Sequence, residues 1–279
     1  MAEERPLVER EVLRMASDCC MEREDALLAL EEPLALDLNG RQVAVLMRLA
    51  GMEKELAAGF CLSEGLVATP EGLLLVEHCG QGMPAPGDPP EPGDGSRNRV
   101  RVRARPESLH PDARLDVTRL IRAGCGRSDD VVTLDLPAVS EGQRFSGEML
   151  QGLGSKLRAA QHLHREAGGL HAAALFNAVG DLVCSAEDVG RHNALDKVVG
   201  HCVLRRIPLD DKVGLCSGRL SYEMAAKAAR LGLPLLMSVT APTALAVDTA
   251  EVCNLTLVGY ARGRRMTVYC HSERITVGD

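Results

Sequence analysis

Three short segments concentrate the side chains that could do chemistry. Glu187 to Gly200, EDVGRHNALDKVVG, gathers Asp, Arg, His and Asn where a helix should begin. Asp188 can serve there as a cap, with Asp196 and Lys197 on a solvated face, and the same residues can equally line a site. Ser217 to Met224, SGRLSYEM, sets Ser, Gly and Arg between a strand and a helix, where backbone N–H groups and a guanidinium can hold an anion. Tyr260 to Tyr269, YARGRRMTVY, follows an apolar strand with Arg262, Gly263, Arg264 and Arg265. Guanidinium forks match phosphate oxygens and Tyr260 could stack on a base, although a solvated basic hairpin tip would carry the same residues.

The spacing around these segments predicts alternating helices and strands. Helices are expected over 147–167, ending at Gly168-Gly169, and over 192–206, 222–232 and 243–254. Strands are expected over 170–178, 182–186, 211–218, 234–239, 255–260 and 265–270. Strands separated by short helices imply an α/β fold with right-handed crossovers and a largely parallel central sheet covered on both faces. Ligands gather at the carboxyl ends of such strands, so the loops after Cys216, Val239 and Tyr260 form the expected binding rim.

The earlier half is more broken. Apolar runs flank Asn39-Gly40 as in a hairpin, residues 53–66 read as a helix, and RVRVRARP alternates as a strand with one wet face. The run 78–98, rich in Pro and Gly, is expected to be an exposed loop.

Composition narrows the function. The 279 residues are 46% hydrophobic, enough to fill a core, and no run approaches the roughly 18 consecutive apolar residues of a membrane span. With a charged start, Met1 to Glu11, and no signal-peptide pattern, a cytoplasmic location and no membrane partner are expected. A formal net charge of −7 argues against nucleic-acid binding, and 2% aromatics argue against a base-stacking platform. The 10 cysteines form neither C-x-x-C pairs nor Cys/His groups, so no metal site is expected, and Cys61, Cys184 and Cys216 read as buried hydrophobes.

In order and spacing, GGLHAAALF, EDVGRHNALDK, SGRLSYEM, SVTAPTALAV and LTLVGYARGRRMTVY resemble the FdhD family of formate dehydrogenase accessory sulfurtransferases. LNG followed by ELAAGFCLSEGL extends the resemblance from about Glu32 to the end. The extreme amino terminus and the Pro-rich loop have no counterpart.

The resemblance implies a carrier that takes sulfur from a cysteine desulfurase as a persulfide. It would pass that sulfur to Mo-bis(molybdopterin guanine dinucleotide), bound as substrate on its way to the formate dehydrogenase catalytic subunit. The family's C-G-x-C-G loop falls on GCGRSD, making Cys125 the carrier, with Ser128 in place of the second cysteine and Asp129 in place of the following glycine. Arg122 and Arg127 favour the Cys125 thiolate, while Asp129 and Asp130 oppose it. The family's guanine-dinucleotide segment falls on Tyr260, Ala261, Arg262, Gly263, Arg264 and Arg265.

It further implies an amino-terminal α+β region over 1–135, ending in the cysteine loop, and a cytidine-deaminase-like α/β domain over 136–279. Deaminase chemistry is not expected, because His171 is followed by Ala172 and Ala173 and no Pro-Cys-x-x-Cys occurs. His171 reads instead as a site-lining or core residue. A non-catalytic cofactor-binding chaperone is the rival function, since Ser128 removes the thiol that could release a bound sulfur internally. A homodimer could build the cofactor groove for two partners met in turn.

Overall fold

A computed structural model describes residues 6–15, 17, 19–79, 98–110 and 136–277, together with the backbone of 119–121. Along the chain run β1 (Leu7–Met15), β2 (Met21–Ala29), β3 (Glu31–Leu38), β4 (Arg41–Leu49), α1 (Glu53–Ser63), β5 (Leu73–His78), β6 (Arg99–Ala104) and β7 (Arg119–Ile121). There follow β8 (Phe145–Ser146), α2 (Gly147–Ala160), α3 (His162–Ala167), β9 (His171–Phe176), β10 (Leu182–Asp188), α4 (Arg191–Leu204) and β11 (Val213–Cys216). The chain continues through α5 (Tyr222–Arg230), β12 (Leu235–Ser238), α6 (Ala244–Val252), β13 (Thr256–Arg262), β14 (Arg265–Cys270) and β15 (Ile275–Thr276).

Two sheets organise this mixed α/β fold. A five-stranded sheet of order β5-β6-β3-β4-β7 packs against α1 through Leu34, Leu36, Val100, Val102, Leu56 and Phe60. A six-stranded sheet of order β10-β9-β11-β12-β13-β14 is covered on both faces. On one face α2 buries Leu150, Leu153 and Leu157, spaced as a helical stripe, against Phe176, Leu215 and Met237. On the other, Val198 of α4, Ala225 and Ala228 of α5 and Ala246 of α6 pack on Leu175, Leu236 and Leu257. Strands β11 and β12 are buried at every position, which is why VGLC and LLMS read as continuous apolar runs rather than alternating ones.

The sheet is less parallel than the sequence suggests. β11, β12 and β13 run parallel, but β9 is antiparallel to both β10 and β11, and β14 is antiparallel to β13. Loop length supplies the reason. The β9–β10 link, 177–181, is too short for a crossover, which needs roughly a dozen residues. It closes as a hairpin in which Asn177 Oδ1 accepts the N–H groups of Val179 and Asp181. The helix expected over 147–167 breaks at Gln161, where ψ is 79°, into α2 and α3.

The β1–β2 hairpin has no counterpart in the sequence reading. Its strands, LVEREVLRM and MEREDALLA, mix exposed charges with exposed Leu and Met in no period-two pattern, and exposed ion pairs such as Arg23–Glu11, at 2.7 Å, bridge them. The expected cysteines behave as core residues: Cys61 and Cys216 are buried, and burial pushes both thiols up to about 12. Among the described helices none is long and apolar enough to cross a membrane.

Helices α1 and α4 join the two sheets by close backbone contact. A Cβ added at Gly59 would stand 1.9 Å from the Asp196 carbonyl oxygen, and one at Gly200 would stand 1.8 Å from that of Glu55. Only glycine permits this approach.

Candidate functional site

The carboxyl ends of β11, β12 and β13 lie side by side, so the loops after Cys216, Val239 and Tyr260 form one rim. Hydrogen bonds run along it. Ser238 Oγ, fully buried, donates to the Gly218 carbonyl at 2.6 Å and accepts the Thr240 N–H at 2.9 Å. The Thr240 carbonyl then accepts the Tyr260 N–H at 2.9 Å, and Arg262 Nε donates to the Val239 carbonyl at 2.6 Å.

Tyr260 sits where β13 bulges, with a left-handed φ of 52° and an exposed side chain. That conformation costs a non-glycine residue of order 1 kcal/mol or more, and here the Thr240 contact holds it. Gly259 admits the crowding beneath, because a Cβ there would lie 2.9 Å from Pro242 Cδ and 3.0 Å from both the Thr240 carbonyl oxygen and Tyr269 Cε2. The Tyr260 side chain stands about half exposed at the rim, at 49%.

Beyond Tyr260 the strand ends in a two-residue turn, Gly263 and Arg264, with φ +57° at the glycine. Arg262 and Arg265 are direct cross-strand partners flanking that turn. Both are exposed, as are Gly263 and Arg264, while Ala261 is buried with its carbonyl against Gly154 of α2. Like charges opposite each other destabilise a ladder, so this tip is electrostatically poised for an anion. The tip is the exposed basic hairpin that the sequence also allowed.

The EDVGRHNALDK segment divides into two roles that the sequence does not separate. Asp188, Asn193, Asp196 and Lys197 are buried, so the solvated face expected for Asp196 and Lys197 is incorrect. Asp188 Oδ2 lies 2.7 Å from Lys197 Nζ and accepts the Leu49 N–H at 3.2 Å, while Oδ1 accepts from Gly190 N–H and Asn193 Nδ2. Lys197 also donates to the Leu49 carbonyl and Asn193 to that of Met47, fastening the end of β4 to the start of α4. Asp196 instead meets Lys227 at 2.8 Å and Ser63 Oγ at 2.7 Å, tying α4 to α5 and α1. Burial disfavours the Lys227 charge, but Asp196 and Glu64 outweigh it and hold the amine above its ordinary value.

Arg191 and His192, at the start of α4, point elsewhere. They stand with His171 and Gly218 beside the rim: a Cβ at Gly218 would lie 3.0 Å from His171 Nδ1 and 3.2 Å from Arg191 Cβ. Burial, followed by the charge of Arg191 and the neighbouring His192 and His164, holds His171 below the usual imidazole value. His192 Nε2 lies 3.3 Å from Glu223 Oε2, and that contact is the first cause holding Glu223 below the usual carboxylate range. The sequence alone gives no sign that His171 and Arg191, twenty residues apart, share a wall with Gly218. Cys125, Arg122, Arg127, Ser128, Asp129 and Asp130 lie outside the described residues.

Comparison with known proteins agrees with the motif order. The profile of the FdhD/NarQ family matches residues 29–276. Sulfur carrier protein FdhD of Streptomyces avermitilis is 40% identical over 280 residues, covering 96% of this chain and 95% of its own length. The protein of the same name from Mycobacterium tuberculosis is 39% identical over 279 residues, covering 96% and 98%. In fold, the chain matches a crystal structure of a candidate formate dehydrogenase accessory protein from Desulfotalea psychrophila, with a TM-score of 0.75 and 24% identity over 98% of this chain and 100% of that one. With a profile match across most of its length and relatives this similar over nearly all of theirs, the chain belongs to the FdhD/NarQ family.

Proposed function

We propose that this protein is a sulfur carrier in formate dehydrogenase maturation. Cys125 is the carrier residue. Its thiolate attacks the outer sulfur of a cysteine desulfurase persulfide; the new S–S bond forms on Cys125 as the old one breaks, and the desulfurase cysteine leaves as thiolate. The loaded sulfur is then delivered to Mo-bis(molybdopterin guanine dinucleotide), held as substrate, for the formate dehydrogenase catalytic subunit: the S–S bond on Cys125 breaks, Cys125 leaves as thiolate, and the two electrons that reduce the transferred sulfur come from the substrate metal or an outside thiol. Work at this junction between two soluble partners suits a cytoplasmic homodimer.

The observation that carries the cofactor half of this reading is the Arg262–Arg265 cross-strand pair beside the half-exposed Tyr260. A nucleotide diphosphate at the tip would relieve the like-charge opposition, with Tyr260 offering a stacking face and Gly263 room for close approach. In this reading the region 1–135 carries the sulfur loop and 136–279, with a cytidine-deaminase-like arrangement, carries the cofactor rim. The family names of the relatives support sulfur transfer as the activity.

The alternative is a cofactor-binding chaperone without transferase activity, and Ser128 in place of a second motif cysteine is the feature that favours it. Both readings need the arginine tip. Titration with GDP tests that shared half: Arg265→Ala is expected to weaken GDP by roughly ten- to a hundredfold, since one charge-assisted bond contributes roughly 1.5 to 3 kcal/mol. Equal affinity in wild type and variant would count against the site.

A further inference from the structure

Most cysteines among the described residues are closed off from any partner. Cys61, Cys184, Cys202, Cys216, Cys253 and Cys270 are buried, and Cys79 is half-buried. Cys19 and Cys20 differ: both are exposed, and they are neighbours in the chain. They lie just before Met21, whose cross-strand partner is Met15, and so stand at the tip of the β1–β2 hairpin. Leu13, Met15 and Met21 beside them are exposed at 62%, 62% and 65%, so no described element covers the tip. The family profile begins at residue 29, the last of β2, and the carrier motif therefore assigns these two thiols nothing.

A sulfur carrier needs a way to let its cargo go. Taking the outer sulfur off a persulfide as hydrosulfide consumes two electrons, which a pair of thiols supplies by closing a disulfide. The carrier loop GCGRSD holds one thiol, with Ser128 where a second would stand. Cys19 and Cys20 put two thiols in one exposed place. Adjacent Cα atoms are about 3.8 Å apart, short of the roughly 4.4–6.8 Å that relaxed disulfides span, so a bond between these two is readily reduced again. A pair that closes and reopens suits turnover rather than bracing.

We propose that Cys19 and Cys20 form a sulfur-release site whose substrate is a persulfide, the species that the carrier activity supplies. The proposal rests on sulfur carriage as that activity. One thiolate of the pair attacks the outer sulfur; the donor's S–S bond breaks and the donor cysteine leaves as thiolate. The neighbouring thiolate then attacks the inner sulfur of the new persulfide, hydrosulfide leaves, and a Cys19–Cys20 disulfide remains. Two thiols are oxidised and one sulfane sulfur is reduced. Low-molecular thiols then return the pair to its reduced form. The chain itself thereby carries the thiol electrons that sulfur release requires.

The test reads hydrosulfide release by the full chain. In a Cys125→Ser background, glutathione persulfide is expected to yield about one hydrosulfide per chain and a loss of about 2 Da on the peptide bearing Cys19 and Cys20. Adding Cys19→Ser or Cys20→Ser is expected to leave a persulfide on the remaining thiol, with hydrosulfide release several-fold lower. Equal release from the paired and single-thiol chains would overturn the proposal. A second arm loads wild type and the Cys19→Ser/Cys20→Ser double variant with cysteine and an active, cognate desulfurase. Both are expected to take up sulfur, and wild type to lose it several-fold faster once the desulfurase is removed. If both load and lose sulfur at the same rate, the tip takes no part and sulfur carriage stands. If neither loads, carriage and the release site fall together.

Discussion

The ammonium of Lys197 lies 2.7 Å from Asp188 Oδ2 with both side chains at 2% exposure or less, and the pair joins β4 to the joint between β10 and α4. Two charges out of water contribute little net stability while paired, but removing one strands the other. Lys197→Met is therefore expected to lower unfolding free energy by about 3–5 kcal/mol, measured by urea denaturation. A loss under about 1 kcal/mol would mean that the pair is not shut away from solvent.

The α1–α4 crossing sets two opposed effects against each other. Replacing a mid-helix glycine with alanine ordinarily gains roughly 1 kcal/mol of helix propensity. At Gly200 the new methyl would stand 1.8 Å from the Glu55 carbonyl oxygen, and backbone on both sides leaves nowhere for it to go. Overpacking costs typically 1–3 kcal/mol and here should win, so Gly200→Ala is expected to lower the melting temperature. Gly152→Ala in α2, with no atom within 4 Å of the new methyl, is expected to raise it. Equal shifts in the two variants would show that the helices do not meet so closely.

His171 predicts a pH dependence of stability. Its pKa is lowered by burial, then by Arg191, His192 and His164, with Asp188 opposing. Between that lowered value and the unfolded value of about 6.5, the unfolded chain binds more protons than the folded one, so stability falls as pH drops through the window. His171→Gln is expected to flatten that part of the stability profile. A His171→Gln profile that matches wild type through this window would show that the imidazole does not couple to folding there.

Legibility followed the local signals. Helices α4, α5 and α6 and the buried strands of the large sheet were readable because hydrophobic period, caps and glycine stops act within a few residues. The order of β9 was not, because parallel and antiparallel neighbours of a buried strand have the same composition, and only the short 177–181 link discloses the hairpin. The β1–β2 hairpin is not legible because its strands carry no period-two alternation of apolar and polar residues. At the site, the arginines of the 260–265 turn stood out by density. Lys197 and Asp196 were misplaced on a solvated face because a charged helical residue is ordinarily exposed, and only the meeting of α4 with β4, α1 and α5 buries them. His171, Arg191 and Gly218 come from three separate elements, and their proximity is a property of the sheet, invisible in any one segment.

The central claim is sulfur carriage on Cys125, and intact-mass analysis tests it most directly. Purified wild type and Cys125→Ser are incubated with cysteine and a desulfurase shown to be active and cognate. A gain of about one sulfur atom in wild type alone, removed by reductant, is the expected result. An equal gain in Cys125→Ser, or none in either protein, would contradict the carrier assignment; the second outcome would leave the chain as a holder of the cofactor.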